Sequence, residues 1–485
     1  MRGAYRDGAL FSIMIPSLPL APRTKIVCTI GPASGSEEVI RKLVRAGMNV
    51  ARLNFSHGSH AEHAAHIATL RAVAAEMGVP VTLMQDLQGP KIRAVNIGPD
   101  GFVLEPGGRV SVGAEGSGAD VEIDYPGLVA EAAAGIRILL DDGLLALRGL
   151  EVKPPFLICE VIDGGLLKNR KGVNVPDLQL TLPSMTDRDR ENVAFGISQG
   201  VDWISLSFVR TAEDVRVLRD FLSERGANIP VIAKIEKPHA IEHLEEILEA
   251  SDGLMVARGD LGVEMQPEKV PMLQKRIIRL CNARGKPVIT ATQMLESMIR
   301  DPRPTRAEAN DVANAILDGT DAVMLSGETA MGLHPVEAVE MMARIARETE
   351  EHSKFVGHPS AQEDETHAMS EAILSFDRLL RPAVLALYTT TGVSALAVSS
   401  QRPRTRIFAL TRDSDVFHRL NLIWGIRPLL IEEAPENFDE LTALVDRALI
   451  ERGAVVPDQS ILIVGGLPIG GSAAANVIKI HRVGS

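Results

Sequence analysis

Cysteine is scarce in this chain of 485 residues, which contains only Cys28, Cys159 and Cys281. The three thiols are widely spaced and fit neither a disulfide framework nor a metal-binding spacing, so we expect a protein of the reducing cytoplasm. No stretch reaches the ~18–20 consecutive apolar residues that a membrane-spanning helix needs. The formal net charge of −12 argues against nucleic acid or an anionic membrane as the main partner, while leaving room for a local basic pocket that binds phosphates.

The length of the chain exceeds what one hydrophobic core normally organises, so we expect two or three domains. At the start of the chain, a short apolar run follows Arg2 and Arg6 but is interrupted by Pro16 and Pro19. No small-residue cleavage site comes after it, as a signal peptide would require. We interpret residues 1–20 as a disordered N-terminal extension.

Apolar runs typical of buried strands alternate with segments of helical periodicity, which predicts a parallel sheet covered by helices. Eight such units predict a closed (β/α)₈ TIM barrel formed by residues 21–88 and 181–350. The predicted strands are Lys25–Ile30, Asn49–Phe55, Val81–Leu87, Val201–Phe208, Val231–Glu236, Gly253–Asp260, Pro287–Thr292 and Ala322–Glu328.

Two other regions depart from this alternation. Residues 89–180 are rich in Gly and Pro and carry short alternating runs, which predicts a small β-barrel domain inserted in a barrel loop. Placed there, it would lie over the mouth of the barrel as a lid. Residues 353–485 combine a helix with five strand-like runs and predict a separate C-terminal α/β domain.

Charged residues close two of the barrel strands. Lys234 and Glu236 lie on the same side of one strand, and Asp260 follows the next. Charges enter a core only when they are paired or bind a metal, so this group suggests a site for a divalent cation and an anionic substrate. The alternative is a buried ion pair between Lys234 and Glu236, with Asp260 capping the next turn.

The segment Thr389–Ser394 follows a strand and opens a helix in the C-terminal domain. It suggests a phosphate-binding loop at a helix N-terminus. Because it contains no basic residue, capping of the helix by a threonine hydroxyl explains the pattern equally well.

The order of these features and several long motifs resemble pyruvate kinase. The motifs are Lys25–Ser34, Gly47–Gly58, Gly89–Arg93, Lys171–Asn174, Ala233–Glu236, Ala257–Glu264, Ala291–Met298 and Met324–Thr329. The resemblance implies transfer of the phosphoryl group of phosphoenolpyruvate to ADP, giving pyruvate and ATP in glycolysis. It also implies a homotetramer and a phosphorylated effector bound in the C-terminal domain.

The resemblance assigns roles to residues at the matching positions. Glu236 and Asp260 would hold Mg²⁺ or Mn²⁺, which suits an ion that keeps water and substrate oxygens as its other ligands. Lys234 would contact the migrating phosphoryl group, and Arg52 would bind the substrate phosphate. Thr292 would relay a proton to the enolate. The remaining positions would contact the substrate through Gly259, Ser207 and Phe208, and the nucleotide through Arg93, Lys171, His57 and Asn54.

Most familiar members of this family need K⁺, near residues matching Asn54, Ser56, Asp86 and the carbonyl of Leu87. Here a lysine, Lys91, stands where those members carry a glutamate. One fixed ammonium charge can substitute for K⁺, so we predict that K⁺ is not required. The alternative is a solvated Lys91 at the lid hinge, with K⁺ still bound.

Two other functions compete with this interpretation. A different enolate-handling barrel, such as a metal-dependent aldolase, would also use Lys, Glu and Asp at strand ends, but the lid with Arg93 and Lys171 favours a nucleotide. A catalytically silent paralogue that senses a phosphorylated metabolite is disfavoured by the intact set of Arg52, Lys234 and Thr292.

Overall fold

The computed structural model describes residues 21–178, 182–353, 365–469 and 475–485. The extension expected at residues 1–20 lies outside these ranges. None of the described helices is long and apolar enough to cross a lipid bilayer.

A closed barrel of eight parallel strands forms the centre of the molecule. Around the barrel the strands follow the order β1, β17, β16, β15, β14, β13, β3 and β2. Their bounds are β1 Lys25–Ile30, β2 Val50–Asn54, β3 Thr82–Asp86, β13 Trp203–Leu206, β14 Val231–Ile235, β15 Gly253–Ala257, β16 Val288–Ala291 and β17 Ala322–Leu325. The predicted TIM barrel is therefore confirmed.

Helices cover the outside of this barrel, and hydroxyl side chains begin several of them. Ser59 with Glu62 and Thr305 with Glu308 form capping boxes, as side chain–backbone hydrogen bonds at a helix start should. The helices are α1 Glu37–Ala46, α2 His60–Met77, α4 Asp187–Ser198, α5 Ala212–Ser223, α6 Pro238–Glu242, α7 Leu244–Ala250, α8 Arg258–Glu264, α9 Val270–Ala283, α10 Arg306–Leu317, α11 Gly327–Ala330 and α12 Pro335–His352. Short 3₁₀ turns occupy Pro267–Lys269 and Glu296–Ile299.

The region between β3 and α4 forms a mixed sheet of seven strands in the order β12, β8, β9, β10, β6, β7 and β4. Backbone hydrogen bonds between residues 92–94 and 170–173 link its two edges, so the sheet nearly closes. Its strands are β4 Ala94–Val95, β6 Arg109–Ala114, β7 Val121–Ile123, β8 Arg137–Leu140, β9 Leu145–Lys153, β10 Phe156–Asp163 and β12 Val173–Asn174; β5 Phe102–Leu104 pairs with β11 Gly165–Leu167, and α3 spans Leu128–Glu131. This is the expected small β-barrel, called the lid below.

The C-terminal region is an α/β domain, as predicted. Its sheet has the order β20, β19, β18, β21 and β22, and only β22 runs antiparallel to its neighbour. The elements are α13 Glu365–Leu380, β18 Val384–Tyr388, α14 Val393–Ser400, β19 Arg406–Thr411, α15 Ser414–Leu420, β20 Ile426–Leu430, α16 Phe438–Glu451, β21 Ser460–Gly465 and β22 Val477–Arg482. The exact domain boundaries stay predictions.

The C-terminal domain packs against the end of the barrel where the strands begin. The Lys25 ammonium donates to the carbonyl of Ile426 at 2.6 Å, and the Trp203 indole donates to the carbonyl of Arg419 at 3.3 Å. Apolar residues of the barrel interior and of β18 form one continuous buried cluster there. The opposite end, where the strands finish, faces the lid.

Candidate active site

Asp86, the last residue of β3, is the central anion of a buried charge cluster at the carboxyl ends of the strands. Its Oδ2 accepts a hydrogen bond from Arg52 Nε at 2.7 Å, and its Oδ1 accepts one from the Ser205 hydroxyl at 2.8 Å. Burial alone would raise the pKa of Asp86, but the charges of Lys234 and Arg52 outweigh it and lower the pKa. Asp86 therefore stays ionised and fixes the positions of two cations.

Lys234 lies beside this carboxylate. Its ammonium is 2.7 Å from the Ser207 hydroxyl, 2.9 Å from Glu236 Oε1 and 3.3 Å from Asp86 Oδ1. Burial opposes its charge, but Asp86 and Glu236 more than compensate, and the pKa of Lys234 is raised. The side chain is a permanent, immobilised positive charge.

Glu236 and Asp260 are the two carboxylates expected to bind a metal. Glu236 is buried, and its Oε2 accepts the backbone N–H of Phe208 at 2.7 Å. Burial raises the pKa of Glu236, Lys234 lowers it, and the nearby charge of Asp260 raises it further. The prediction that Asp260 closes a strand is wrong, because β15 ends at Ala257 and Asp260 lies in the first turn of α8. The apolar run ends with the strand at Ala257, and the charged residues that follow give no sign that the backbone becomes helical there.

Two residues within two positions of the end of a barrel strand have left-handed backbones. Phe208 has φ of 57° and Thr292 has φ of 68°. For a β-branched or bulky residue this conformation costs about 1–3 kcal/mol and persists only where the surrounding structure enforces it. Gly89, at the start of the lid, explains part of this constraint: a β-carbon there would lie 2.8 Å from Phe208 Cδ2.

The Thr292 hydroxyl links two adjacent strand ends. It accepts the backbone N–H of Gly259 at 2.6 Å and donates to the carbonyl of Ala291 at 2.6 Å. Arg258 supports the turn by donating to the carbonyl of Thr292 at 2.8 Å. The structure thus brings together Gly259 and Thr292, which were expected to bind substrate and relay a proton.

The comparison with known proteins agrees with this geometry. The family model described as pyruvate kinase, barrel domain, matches residues 21–339, and the model described as pyruvate kinase, alpha/beta domain, matches residues 367–481. A relative named Pyruvate kinase from Staphylococcus aureus strain MRSA252 is 46% identical over 473 residues, covering 95% of this chain and 80% of the relative. The same enzyme from strain USA300 is 45% identical over the same length, with the same coverage.

The chain belongs to the pyruvate kinase family. It is therefore an enzyme of the kinase class, a phosphotransferase. In a pyruvate kinase the end of the barrel described above is expected to hold the substrate, and the lid is expected to supply contacts to the nucleotide.

The four residues expected to contact the nucleotide lie in two separate groups. Within the lid, the Lys171 ammonium pairs with Asp141 at 2.7 Å, and Arg93 donates to the carbonyl of Arg170 at 3.1 Å. The other group follows β2. There Asn54 Oδ1 accepts the backbone N–H of Ser56 at 3.1 Å, and His57 is exposed. No hydrogen bond or ion pair of the described residues joins the two groups.

The residues expected near a monovalent cation have partners within the protein. Besides the pairs of Asp86, the carbonyl of Leu87 accepts the Ser207 hydroxyl at 2.7 Å. Lys91 does not pair with Asp86. Its side chain extends along Gly172 of the lid, where an added β-carbon would lie 3.7 Å from the ammonium nitrogen. The carboxylate of Asp142 lies equally close to that point.

A contact between the lid and the barrel was missed by the sequence analysis. Glu264, buried at the end of α8, accepts a hydrogen bond from Asn174 Nδ2 of β12 at 2.6 Å and pairs with the Lys237 ammonium. That ammonium also lies 5.4 Å from the centre of the Phe208 ring. Lys237 follows Glu236 directly, and both Asn174 and Glu264 end family motifs, but no periodic pattern relates these three positions.

Proposed function

We propose that this chain transfers the phosphoryl group of phosphoenolpyruvate to ADP, producing pyruvate and ATP, with Mg²⁺ or Mn²⁺ and without an absolute requirement for K⁺. The observation that carries the proposal is the buried cluster of Arg52, Asp86, Lys234 and Glu236 at the carboxyl ends of the barrel strands. It places two fixed cations where an anionic substrate would bind. Phosphoryl transfer depends mainly on such positioning and neutralisation of charge.

The donor set suits a hard divalent cation. Glu236 and Asp260 lie close enough for the charge of Asp260 to raise the pKa of Glu236, and a cation between two such carboxylates would relieve their repulsion. Two carboxylate ligands leave positions for water and substrate oxygens, as Mg²⁺ prefers. When bound, the ion would supply positive charge beside the oxygens of the transferring group.

Arg52 and Lys234 would bind the phosphoryl group. Arg52 is held by Asp86 and by the Thr29 hydroxyl, which accepts from Nη1 at 2.9 Å, so its orientation is set before substrate arrives. Lys234 is fixed by three oxygen atoms. This preorganisation supports a role in which neither cation has to move as the phosphoryl group transfers.

The reaction breaks the bond between phosphorus and the enol oxygen and forms a bond from phosphorus to a β-phosphate oxygen of ADP. The enolate that remains takes a proton at its methylene carbon. Thr292 would relay this proton through its hydroxyl, and Gly259 would offer its backbone N–H to the substrate carboxylate. Ser207 and Phe208 would line the pocket. In the structure the Thr292 hydroxyl accepts the N–H of Gly259, so the substrate carboxylate would have to replace it as the acceptor. The hydroxyl proton, which Thr292 donates to the carbonyl of Ala291, would have to turn toward the enolate.

Arg93 and Lys171 of the lid, with His57 and Asn54 of the barrel, would contact the nucleotide. The basic pair lies on adjoining backbone segments, since the N–H of Ala94 donates to the carbonyl of Lys171 at 2.8 Å. A rigid movement of the lid would therefore carry both charges together onto the phosphates of ADP.

Independence from K⁺ is supported by the hydrogen bonds that the expected K⁺ ligands already accept within the protein. Both oxygens of Asp86 accept from protein donors, the Leu87 carbonyl accepts from Ser207, and the Asn54 side chain accepts from Ser56. Arg52 and Lys234 supply fixed positive charge at Asp86, and Lys91 adds another at the lid hinge. A monovalent cation would have to share these oxygen atoms with the hydrogen bonds already made to them.

We further propose that the enzyme works in the cytoplasm as a homotetramer and responds to a phosphorylated effector. In the loop Thr389–Ser394 the Thr389 hydroxyl accepts the N–H of Gly392 at 2.9 Å, just before α14 begins, but no side chain caps that helix and the loop contains no basic residue. An effector phosphate would therefore need basic partners from elsewhere in the domain.

A coupled assay of pyruvate formation from phosphoenolpyruvate and ADP with Mg²⁺, in buffer without K⁺ and again with KCl, tests the proposal. We expect turnover in both, and we expect Lys91→Glu to need KCl. If the unmodified enzyme turns over only with KCl, the kinase activity is supported and independence from K⁺ is refuted. Substrate binding without turnover in either buffer would indicate a sensor instead.

A further inference from the structure

The helical turn after β14 carries two histidines and a glutamate that the proposed reaction does not use. His239 lies in α6, Glu242 is its last residue, and His243 joins it to α7. The sequence from His239 to His243 places the two imidazoles four positions apart, with Glu242 three positions after the first. This spacing puts all three side chains on one face of a helix.

The side chains converge in the structure. One ligand atom from each of the three residues lies within 4.8 Å of the other two. His239 Nδ1 and Glu242 Oε2 are 3.3 Å apart. Ligand atoms around a tetrahedral Zn²⁺, each ~2.0–2.2 Å from the metal, lie roughly 3.4 Å apart. Side chains that are partly exposed can close the remaining gap by small rotations.

The charge around this turn complements a dication. Glu242 and Glu246 bear two negative charges, and among the described residues their ion-pair partners are His239 and His243, not a lysine or arginine. A single histidine–glutamate pair also occurs at His352 and Glu348 of α12, at 3.2 Å. That pair has one imidazole, so it provides an internal comparison for an ordinary surface contact.

We propose that His239, Glu242 and His243 bind a divalent transition metal ion of the Zn²⁺ type, at a site separate from Glu236 and Asp260. Imidazole ligands favour Zn²⁺, Ni²⁺ and Cu²⁺, whereas Mg²⁺ favours oxygen ligands, so excess Mg²⁺ should not compete. Three protein ligands leave one coordination position open to water. Metal binding at this site does not depend on the catalytic reaction.

The test is titration calorimetry of the full chain, stripped with EDTA, with ZnCl₂ in excess Mg²⁺. We expect one site whose dissociation constant rises by at least about 10–100-fold in His239→Gln and in His243→Gln, a range known even for residues that only support metal ligands. His352→Gln should bind as the unmodified chain does. The three cysteines are buried and should not compete for the ion.

Binding of Co²⁺, followed by its visible absorption, gives an independent measurement, because tetrahedral coordination by imidazole produces a distinct spectrum. Loss of that spectrum in both histidine variants, with circular dichroism unchanged, would support the site. Zn²⁺ affinity that is equal in all the variants, or that excess Mg²⁺ abolishes, would overturn the proposal.

Discussion

The hydrogen bond between Asn174 and Glu264 predicts a measurable coupling between the lid and the barrel. Asn174→Ala removes the donor on the lid and leaves the barrel carboxylate paired with Lys237. Glu264 therefore does not become a buried charge without a partner, and we expect little loss of barrel stability. The change should act on the position of the lid instead.

The size of the effect follows from the kind of bond removed. A hydrogen bond to a charged group contributes about 1.5–3 kcal/mol. Its loss should shift the equilibrium between the seated and unseated lid by about 10-fold to 150-fold. Other contacts also seat the lid, among them the bond from the Gly89 N–H to Asp189 at 3.2 Å, so the lid should remain folded.

Hydrogen exchange followed by mass spectrometry measures this shift directly. We expect faster exchange in the hinge segments around residues 87–93 and 170–176 of Asn174→Ala, with the core strands β6 and β10 unchanged. Ser111→Ala is the matched control, because it removes a hydrogen bond to a carboxylate, Asp120, within the lid. If the hinge segments exchange at the same rate in both variants, or if they stay fully protected in Asn174→Ala, the hydrogen bond does not hold the lid on the barrel and the prediction is wrong.

Three further predictions concern side chains of the barrel. Asp86→Asn removes the anion shared by two buried cations, so urea denaturation should show a loss of about 3–5 kcal/mol in the free energy of unfolding, and an unchanged midpoint would contradict this. Burial and the charge of Arg427 lower the pKa of Lys25 to about 7 from 10.5. Between these values the unfolded chain binds more protons, so stability should rise with pH by up to roughly 5 kcal/mol. Lys25→Met should lack that rise in stability. Parallel pH profiles of the free energy of unfolding for the variant and the unmodified protein would refute the prediction. Thr292→Val removes the proposed proton relay and should lower kcat by about 10²-fold or more in steady-state assays, while Thr292→Ser should retain most of the activity. Equal kcat values for the two variants would exclude the relay.

The strands of this chain were predictable because burial on both faces gives each a continuous apolar run. Lys25–Ile30 has the same bounds in sequence and structure. The largest errors in strand bounds, of three residues, lie at carboxyl ends of barrel strands. The apolar run ends with the strand at Ala257, but the predicted strand also included Arg258–Asp260, which begin α8. Charged residues after an apolar run do not show whether the backbone stays extended or becomes helical.

The candidate site was predictable as a set of residues but not as a set of contacts. Charges that end apolar runs identified Lys234 and Glu236 from the sequence alone. The pairing of Arg52 with Asp86 depends on the register between β2 and β3, which places Asn54 opposite Asp86. The bond from Asn174 to Glu264 joins positions 90 residues apart on two domains. Neither of these two contacts produces a periodic pattern in the sequence.

Among the described non-glycine residues with positive φ, the one aromatic residue and the one β-branched residue both lie at the candidate site. Phe208 and Thr292 adopt left-handed conformations just after β13 and β16, on the same end of the barrel as the buried charges. Each forms a hydrogen bond to a proposed site residue, Phe208 to Glu236 and Thr292 to Gly259. Selection for stability alone would replace such residues with glycine, which adopts this conformation without cost. Retaining a phenyl ring and a hydroxyl there is explained if both side chains are needed, one to shape the pocket and one to exchange a proton.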